Sequence, residues 1–305
     1  MKQSLCSSLR FLCLAAAFLF IIHSASAEGA DISGNNWMGF IDGDTLLSDL
    51  SMPGTHDSGA LYEPFPGTAK CQDLTIGEQL DIGVRFLDIR CRHYENTFVI
   101  HHGFVYQRLS FDEVLEDIID FLKSNPTECV IMCIKEEYNA YGTTRSFDQT
   151  LNSYVNKNPD MWRFTASIPT LDQARGKILL MRRFSGSRGI NATYWPDNTT
   201  FSNGFLRVQD YYNISSNDTK WDKVTALLNE ADSGFPGTLY LNYTSGYRSI
   251  FILPSITTVS NDMNSRVENY FDTRTSGRYG VIVMDFIDEY RSALIYETNS
   301  FLIDN

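Results

Sequence analysis

The chain has no Cys-x-x-Cys pair, no Cys/His run with zinc-ligand spacing, no Pro/Ser-rich linker, no block of like charge and no internal repeat. The first two absences exclude a sequence-local zinc module. The others leave no seam at which 305 residues would divide into separate domains. Positive charge is scarce as well: 25 Lys and Arg stand against 37 Asp and Glu, a net charge of −12. Such a surface argues against nucleic acid and against polybasic docking to anionic lipid. It leaves room for a small anionic substrate held by a few buried arginines.

Long apolar runs are limited to one. Lys2 and Arg10 precede or interrupt a stretch that ends at Ala25-Ser26-Ala27, the pattern of a secretory signal peptide with its cleavage site. No second apolar span follows. Residues 1–27 are therefore expected to be removed, leaving 28–305 as a secreted, extracellular protein. Losing Lys2 and Arg10 leaves 23 basic against 37 acidic residues, a net charge of −14. Of the six cysteines, Cys6 and Cys13 lie in the leader. Cys71, Cys91, Cys129 and Cys133 remain, and an oxidising compartment permits disulfides. Cys129 and Cys133 are about 13 Å apart on an extended strand and cannot pair there. A Cys71–Cys91 bridge and buried free thiols both stay open. Acceptor sites for N-glycans stand at Asn191, Asn198, Asn213, Asn217 and Asn242. The first four fall in residues 186–220, an Asn/Ser/Thr-rich segment that reads as an exposed surface excursion.

Eight short apolar runs recur: LLSDLSM (46–52), VRFLDIR (84–90), FVIHH (98–102), CVIMCIK (129–135), KILLMRR (177–183), LRVQDYY (206–212), LYLNYT (239–244) and GVIVMDF (280–286). Amphipathic helical patterns lie between several of them. The clearest is SFDEVLEDIIDFLKSN, where Ser110 and Glu113 form a capping box and Phe111, Val114, Leu115, Ile118, Ile119 and Leu122 make one apolar face. Strands apolar on both faces, alternating with helices, predict a parallel sheet covered by helices. Eight of them in one chain of this length predict a single-domain (β/α)8-type, TIM-like barrel, with an irregular barrel allowed. An open doubly wound sheet is the alternative.

The ends of these runs carry ionisable groups. Val84, Phe86, Asp88 and Arg90 share strand parity, as do Leu179, Met181 and Arg183, then Leu206, Val208, Asp210 and Tyr212, then Val281, Val283 and Asp285. Thr55, His56 and Asp57 follow the first run, His102 ends the third and Lys135 the fourth. The C-terminal rim is where such a barrel holds its chemistry. Two histidines, arginines, a lysine and several carboxylates gathered there suit general acid–base attack on an anionic ester, which makes phosphodiester cleavage the expected class. In FVIHHGF, parity allows only one of His101 and His102 to enter a shared site, without saying which.

SMPGTHDSG, GVRFLDIRCR, FVIHHGF, SNPTECVIMCIKEEY, QARGKILLMRRFSG, YWPDNTTF, LRVQDYY and VMDFIDE, in this order from about Trp37 to Tyr296, resemble successive segments of the phosphatidylinositol-specific phospholipase C X-domain family in its bacterial-type form. The resemblance implies a peripheral membrane enzyme that cleaves phosphatidylinositol, or glycosylphosphatidylinositol anchors, to diacylglycerol and inositol 1,2-cyclic phosphate. It implies His56 as general base oriented by Asp285, His102 as general acid paired with Asp57, and Arg90 on the phosphate. Lys135, Arg183 and Asp210 correspond to inositol-binding positions, Tyr212 to a ring stacked on the inositol, and Asp88 to an acidic position beside Arg90. His101 becomes a bystander facing helices or a loop.

Calcium-dependent relatives carry an acidic residue at the Arg90 position and an asparagine at the Asp57 position. A guanidinium repels Ca²⁺ and supplies positive charge in its place, so neither metal nor cofactor is expected. Bacterial-type enzymes carry exposed tryptophans near the site, and the corresponding loops here, GALYEPFPGTAK and SGYRSIFILPSI, contain none. Tyr62, Phe65, Tyr247, Ile250, Phe251 and Ile252 are the apolar residues that could contact lipid in their stead. A monomer is expected. The competing functions are a metal-using glycerophosphodiesterase on a related barrel and a non-catalytic inositol-lipid or glycan-binding module. Arg90 weighs against the first, and the joint presence of His56, His102 and Arg90 against the second.

Overall fold

The computed structural model describes residues 31–250 and 253–302. The expected signal peptide lies outside them, as do Phe251, Ile252 and the side chain of Ile250. Among the described residues no helix is long and apolar enough to cross a membrane. Among the described residues nine strands run parallel: β1 Ser51–Thr55, β2 Phe86–Tyr94, β3 Val130–Glu136, β4 Ile178–Arg183, β5 Ile190–Asn191, β6 Leu206–Asp210, β7 Leu239–Tyr243, β8 Gly280–Met284 and the two-residue Trp162–Arg163 beside the N-terminal half of β4. Their order is β4-β3-β2-β1-β8-β7-β6, with β5 beside the C-terminal half of β4. The expected TIM-type barrel is present in its irregular form. Among the described residues no main-chain ladder joins β5 to the antiparallel edge strand Thr199–Asn203 outside β6. Instead the Asn203 amide donates to the carbonyls of Asn191 at 3.3 Å and Tyr194 at 3.2 Å.

Alternation along each strand separates two apolar layers. Met52, Phe86, Ile131, Cys133, Leu179, Met181, Val208, Leu241 and Val283 fill the barrel. Leu87, Ile89, Met132, Ile134, Leu180 and Ile282 face the helices. Gly54 belongs to the inner row, where a Cβ would stand 2.9 Å from Val281 Cγ1 and 3.1 Å from Phe86 Cβ. Seven helices accompany the strands: α1 Ile76–Asp81, α2 Phe111–Ser124, α3 Phe147–Val155, α4 Leu171–Ala174, α5 Asn217–Ser233, α6 Thr257–Phe271 and α7 Glu289–Tyr296. The Ser110/Glu113 capping box of α2 is formed, and the expected apolar face is buried with Phe121 added to it.

Several expectations are corrected. Leu47–Asp49 is a 3-10 turn, so the first strand starts at Ser51 and Thr55 is its last residue. Pro53 is accommodated because pairing with β2 begins only at Gly54. Val84 lies before β2 and packs in the outer layer. FVIHH is no barrel stave: Thr97–His102 runs antiparallel to β2 and continues into Val105–Ser110. The eighth stave is the two-residue β5, inside the supposed excursion 186–220, which also supplies β6. Asn242 is fully buried in β7, bonded to Gln209 and to the Val224 carbonyl, and is closed to a glycan in the folded chain. All four remaining cysteines are buried free thiols.

Candidate active site

The C-terminal ends of the strands open into a cavity of about 430 Å³ lined by His56, Arg90, His102, Lys135, Arg183, Asp210, Tyr212 and Asp285. Asp57 and Asp88 are buried beside it, so all ten expected residues converge.

His56 follows β1, and its Nδ1 lies 2.8 Å from Asp285 Oδ1 at the end of β8. Its Nε2 lies 2.7 Å from Arg90 Nη2. A guanidinium only donates, so Nε2 is the bare nitrogen and Nδ1–H donates to Asp285. The Gln72 amide donates to the carbonyls of His56 at 2.9 Å and Met284 at 2.8 Å, which ties β1 to β8 beneath the ring. Arg90 donates from Nη2 to Asp88 Oδ2 at 3.0 Å, and its Nη1 is 3.7 Å from Asp57 Oδ2. Burial opposes ionisation of Asp88, but Arg90, Arg183 and His56 outweigh it and hold the carboxyl well below its usual range.

His102 faces His56 edge-on, with ring centroids 6.3 Å apart. Its Nδ1 stands 2.7 Å from the Ala69 carbonyl, which can only accept. The proton therefore sits on Nδ1. Asp57 is 3.7 Å from the same nitrogen, beyond hydrogen-bonding distance. The expected Asp57–His102 pairing is present as an ion pair rather than a hydrogen bond, and the Ala69 carbonyl sets the tautomer. Burial, then Arg90, push the His102 imidazolium below the ordinary range. Burial pushes the Asp57 carboxyl up to about 7, and neither of its oxygens has a hydrogen-bond partner. The Cys71 thiol lies 3.7 Å from His102 Nδ1. His101 points away into an aromatic stack between Tyr138 at 6.0 Å and Tyr106 at 5.7 Å.

The far wall is aromatic and polar. Arg183 lies 3.7 Å over the Trp195 indole, whose Nε1 donates to Asp210 Oδ2 at 2.9 Å. Tyr212 donates to Asp197 at 2.5 Å and leans against Tyr247. That hydrogen bond, reinforced by burial, pushes the phenol up to about 12. Lys135 donates to Glu137 at 2.5 Å, and Glu137 also accepts from Gly103 N at 3.0 Å, which links the floor to the turn after His102. Sequence reasoning missed Glu137, Trp195, Asp197 and Asn198. Glu137 continues the parity of Lys135 and was within reach; the other three sit on a loop without periodicity.

Residues 54–184 match the phosphatidylinositol-specific phospholipase C, X domain. A 1-phosphatidylinositol phosphodiesterase of Staphylococcus aureus is 31% identical, covering 90% of this chain and 93% of its own. That of Listeria monocytogenes is 30% identical, covering 88% and 86%. A crystal structure of the phosphatidylinositol-specific phospholipase C from S. aureus superposes with a TM-score of 0.80 at 28% identity, over 88% of this chain and 98% of the other. The enzyme from L. monocytogenes superposes with 0.76 at 28% identity, over 88% and 100%. The chain belongs to the phosphatidylinositol-specific phospholipase C X-domain family.

Proposed function

We propose that this protein is a secreted phosphodiesterase that cleaves phosphatidylinositol to diacylglycerol and inositol 1,2-cyclic phosphate. The observation that carries the reading is the unprotonated His56 Nε2, turned to the cavity between Asp285 and Arg90 and facing His102 across it. His56 takes the proton from the inositol 2-hydroxyl, and Asp285 stabilises the imidazolium that forms. The 2-oxygen forms its bond to phosphorus as the bond to the glycerol oxygen breaks, and His102 as imidazolium gives that oxygen a proton. Arg90 turns from His56 Nε2 to the phosphate oxygens, where negative charge develops. Asp57 favours the charged His102, whose low affinity for a proton makes it a ready donor. Lys135, Arg183 and Asp210 hold the inositol hydroxyls while Tyr212 covers the ring.

Arg90 fills the place between Asp57 and Asp88 where a calcium ion would need carboxylates to itself. Cleavage is accordingly expected to continue in excess EDTA, with cyclic inositol phosphate as the first product; loss of activity on chelation would overturn the metal-independent mechanism. His102→Ala should lose on the order of 10²–10⁴ in kcat, whereas His101→Ala should turn over normally if circular dichroism shows it folded. The reverse pattern would exchange the two roles.

The chain is read as a monomer with a cleaved leader, meeting its substrate at a membrane face. Glycosylphosphatidylinositol anchors present the same 2-hydroxyl at cell surfaces. Release of an anchored surface protein, compared with turnover of phosphatidylinositol vesicles, measures that preference. Exposed Asn191 and Asn213 are the open glycan acceptors; Asn198 and Asn217 are half-buried and engaged by neighbours.

A further inference from the structure

The catalytic constellation does not use the Cys71 thiol, yet it is wedged into it. Cys71 Sγ and Asp57 Oδ2 each lie 3.7 Å from His102 Nδ1, and the three ligand atoms all fall within 4.8 Å of one another. A tetrahedral zinc ion with Zn–S of about 2.3 Å and Zn–N or Zn–O of about 2.0–2.1 Å separates neighbouring ligand atoms by roughly 3.3–3.6 Å. The two spacings to His102 Nδ1 need only a few tenths of an ångström of adjustment, and the Cys71–Asp57 spacing, within 4.8 Å, closes by side-chain rotation. Asp57 supplies the independent observation: it is fully buried, neither carboxylate oxygen has a hydrogen-bond partner, and Arg90 stands off from it at 3.7 Å. The overlapping set His56, Cys71 and Asp285 shares the same thiol. In that set the carboxylate is already bound to His56 at 2.8 Å and the other ring nitrogen faces Arg90.

We propose that Cys71, His102 and Asp57 form an inhibitory site for Zn²⁺, a regulation of the catalytic centre that rests on the acid role assigned to His102 above. On binding, the thiol releases its proton and sulfur donates to the metal. The Nδ1 proton leaves the Ala69 carbonyl, the ring becomes the Nε2–H tautomer, and Nδ1 donates to the metal. Ionised Asp57 supplies the third ligand. The thiolate and carboxylate together neutralise the ion, so Arg90 faces a complex of no net charge, unlike the bare Ca²⁺ it repels. A metal on Nδ1 prevents the imidazolium from forming, and the leaving group is left facing only a weakly acidic Nε2–H. Protons are released on binding, so acid weakens it. The other three free thiols, Cys91, Cys129 and Cys133, belong to no such cluster among the described residues.

Cobalt reports the site without any lipid. One Co²⁺ per purified protein should give a thiolate charge-transfer band that Zn²⁺ abolishes, and Cys71→Ala and Cys71→Ser should both lack it. In metal-free buffer Zn²⁺ should inhibit phosphatidylinositol turnover, with an inhibition constant at least tenfold weaker in either variant and basal turnover close to wild type. No band in the wild-type protein, or equal Zn²⁺ sensitivity in the folded variants, would overturn the site. A protein inactive on phosphatidylinositol but showing the band would sink the proposed function and leave the metal site standing.

Discussion

Asp57 is a carboxylate held where its own fold disfavours the charge. It takes a left-handed backbone with φ of 40°, is fully buried, and burial raises it from 3.8 to about 7. A raised carboxyl costs the folded state nothing below 3.8; the penalty grows between 3.8 and about 7 and is complete above. The full difference is at most about 4 kcal/mol. Asp57→Asn removes the ionisation and should melt higher than wild type at pH 8, show no such gain at pH 4, and lose catalysis. Parallel melting curves at both pH values would contradict this. Arg90→Lys keeps the charge but not the fork that spans Asp88 and His56, and kcat should fall on the order of 10²-fold, measured with the cyclic product as readout. At this scale the sequence was most legible where residues extend an apolar row: Asp88, Arg90, Arg183, Asp210 and Asp285 all continue one. Ala69 was invisible, because its contribution is a carbonyl that any residue could offer.

Among elements, α2 announced itself and the third apolar run misled. α2 carries an apolar stripe at helical spacing and its own start signal, both local properties of the chain. Ser110→Ala removes the bond to Glu113 N and should cost about 1 kcal/mol, seen as a lower melting temperature with turnover unchanged. FVIHH has the composition of a barrel stave, but its neighbours are chosen by the turns around it. Glu95 and Asn96, both at positive φ, reverse the chain and lay Thr97–His102 antiparallel on β2. Beyond a register shift between Val99 and His101, the two histidines pair in consecutive register with Tyr106 and Val105, and strand alternation turns them to opposite faces. β5 escaped notice because two residues carry no periodicity; only the edge of β4 makes them a strand. Gly54 shows the packing these elements impose. Gly54→Ala should destabilise by about 1–3 kcal/mol through overpacking against Val281 and Phe86, checked by denaturant midpoint.

For the whole molecule, the barrel is open between β5 and the Thr199–Asn203 edge, and the loops of that side and of the hairpin surround the cavity. Phe65 and Phe104 are 68% and 75% exposed on loops near His102, the second on the turn that directly follows it. Both should meet lipid: the Phe65→Ala/Phe104→Ala pair is expected to lose vesicle binding and turnover of vesicles while keeping turnover of a water-soluble inositol phosphodiester. Equal loss on both substrates would instead mean a damaged site. Tyr247, counted on the lipid side from the sequence, lines the cavity. The sequence alone determined the class of fold and the class of chemistry expected at the strand ends, because strand periodicity and the chemistry of histidine and arginine are properties of short stretches, while the roles of individual residues rest on the family resemblance. Only the tertiary structure decided which carbonyl holds His102, that Asp57 meets it as an ion pair without a hydrogen bond, and that Cys71 enters the same cluster. Those relations join residues from different strands and loops, whose distances depend on how the barrel curls.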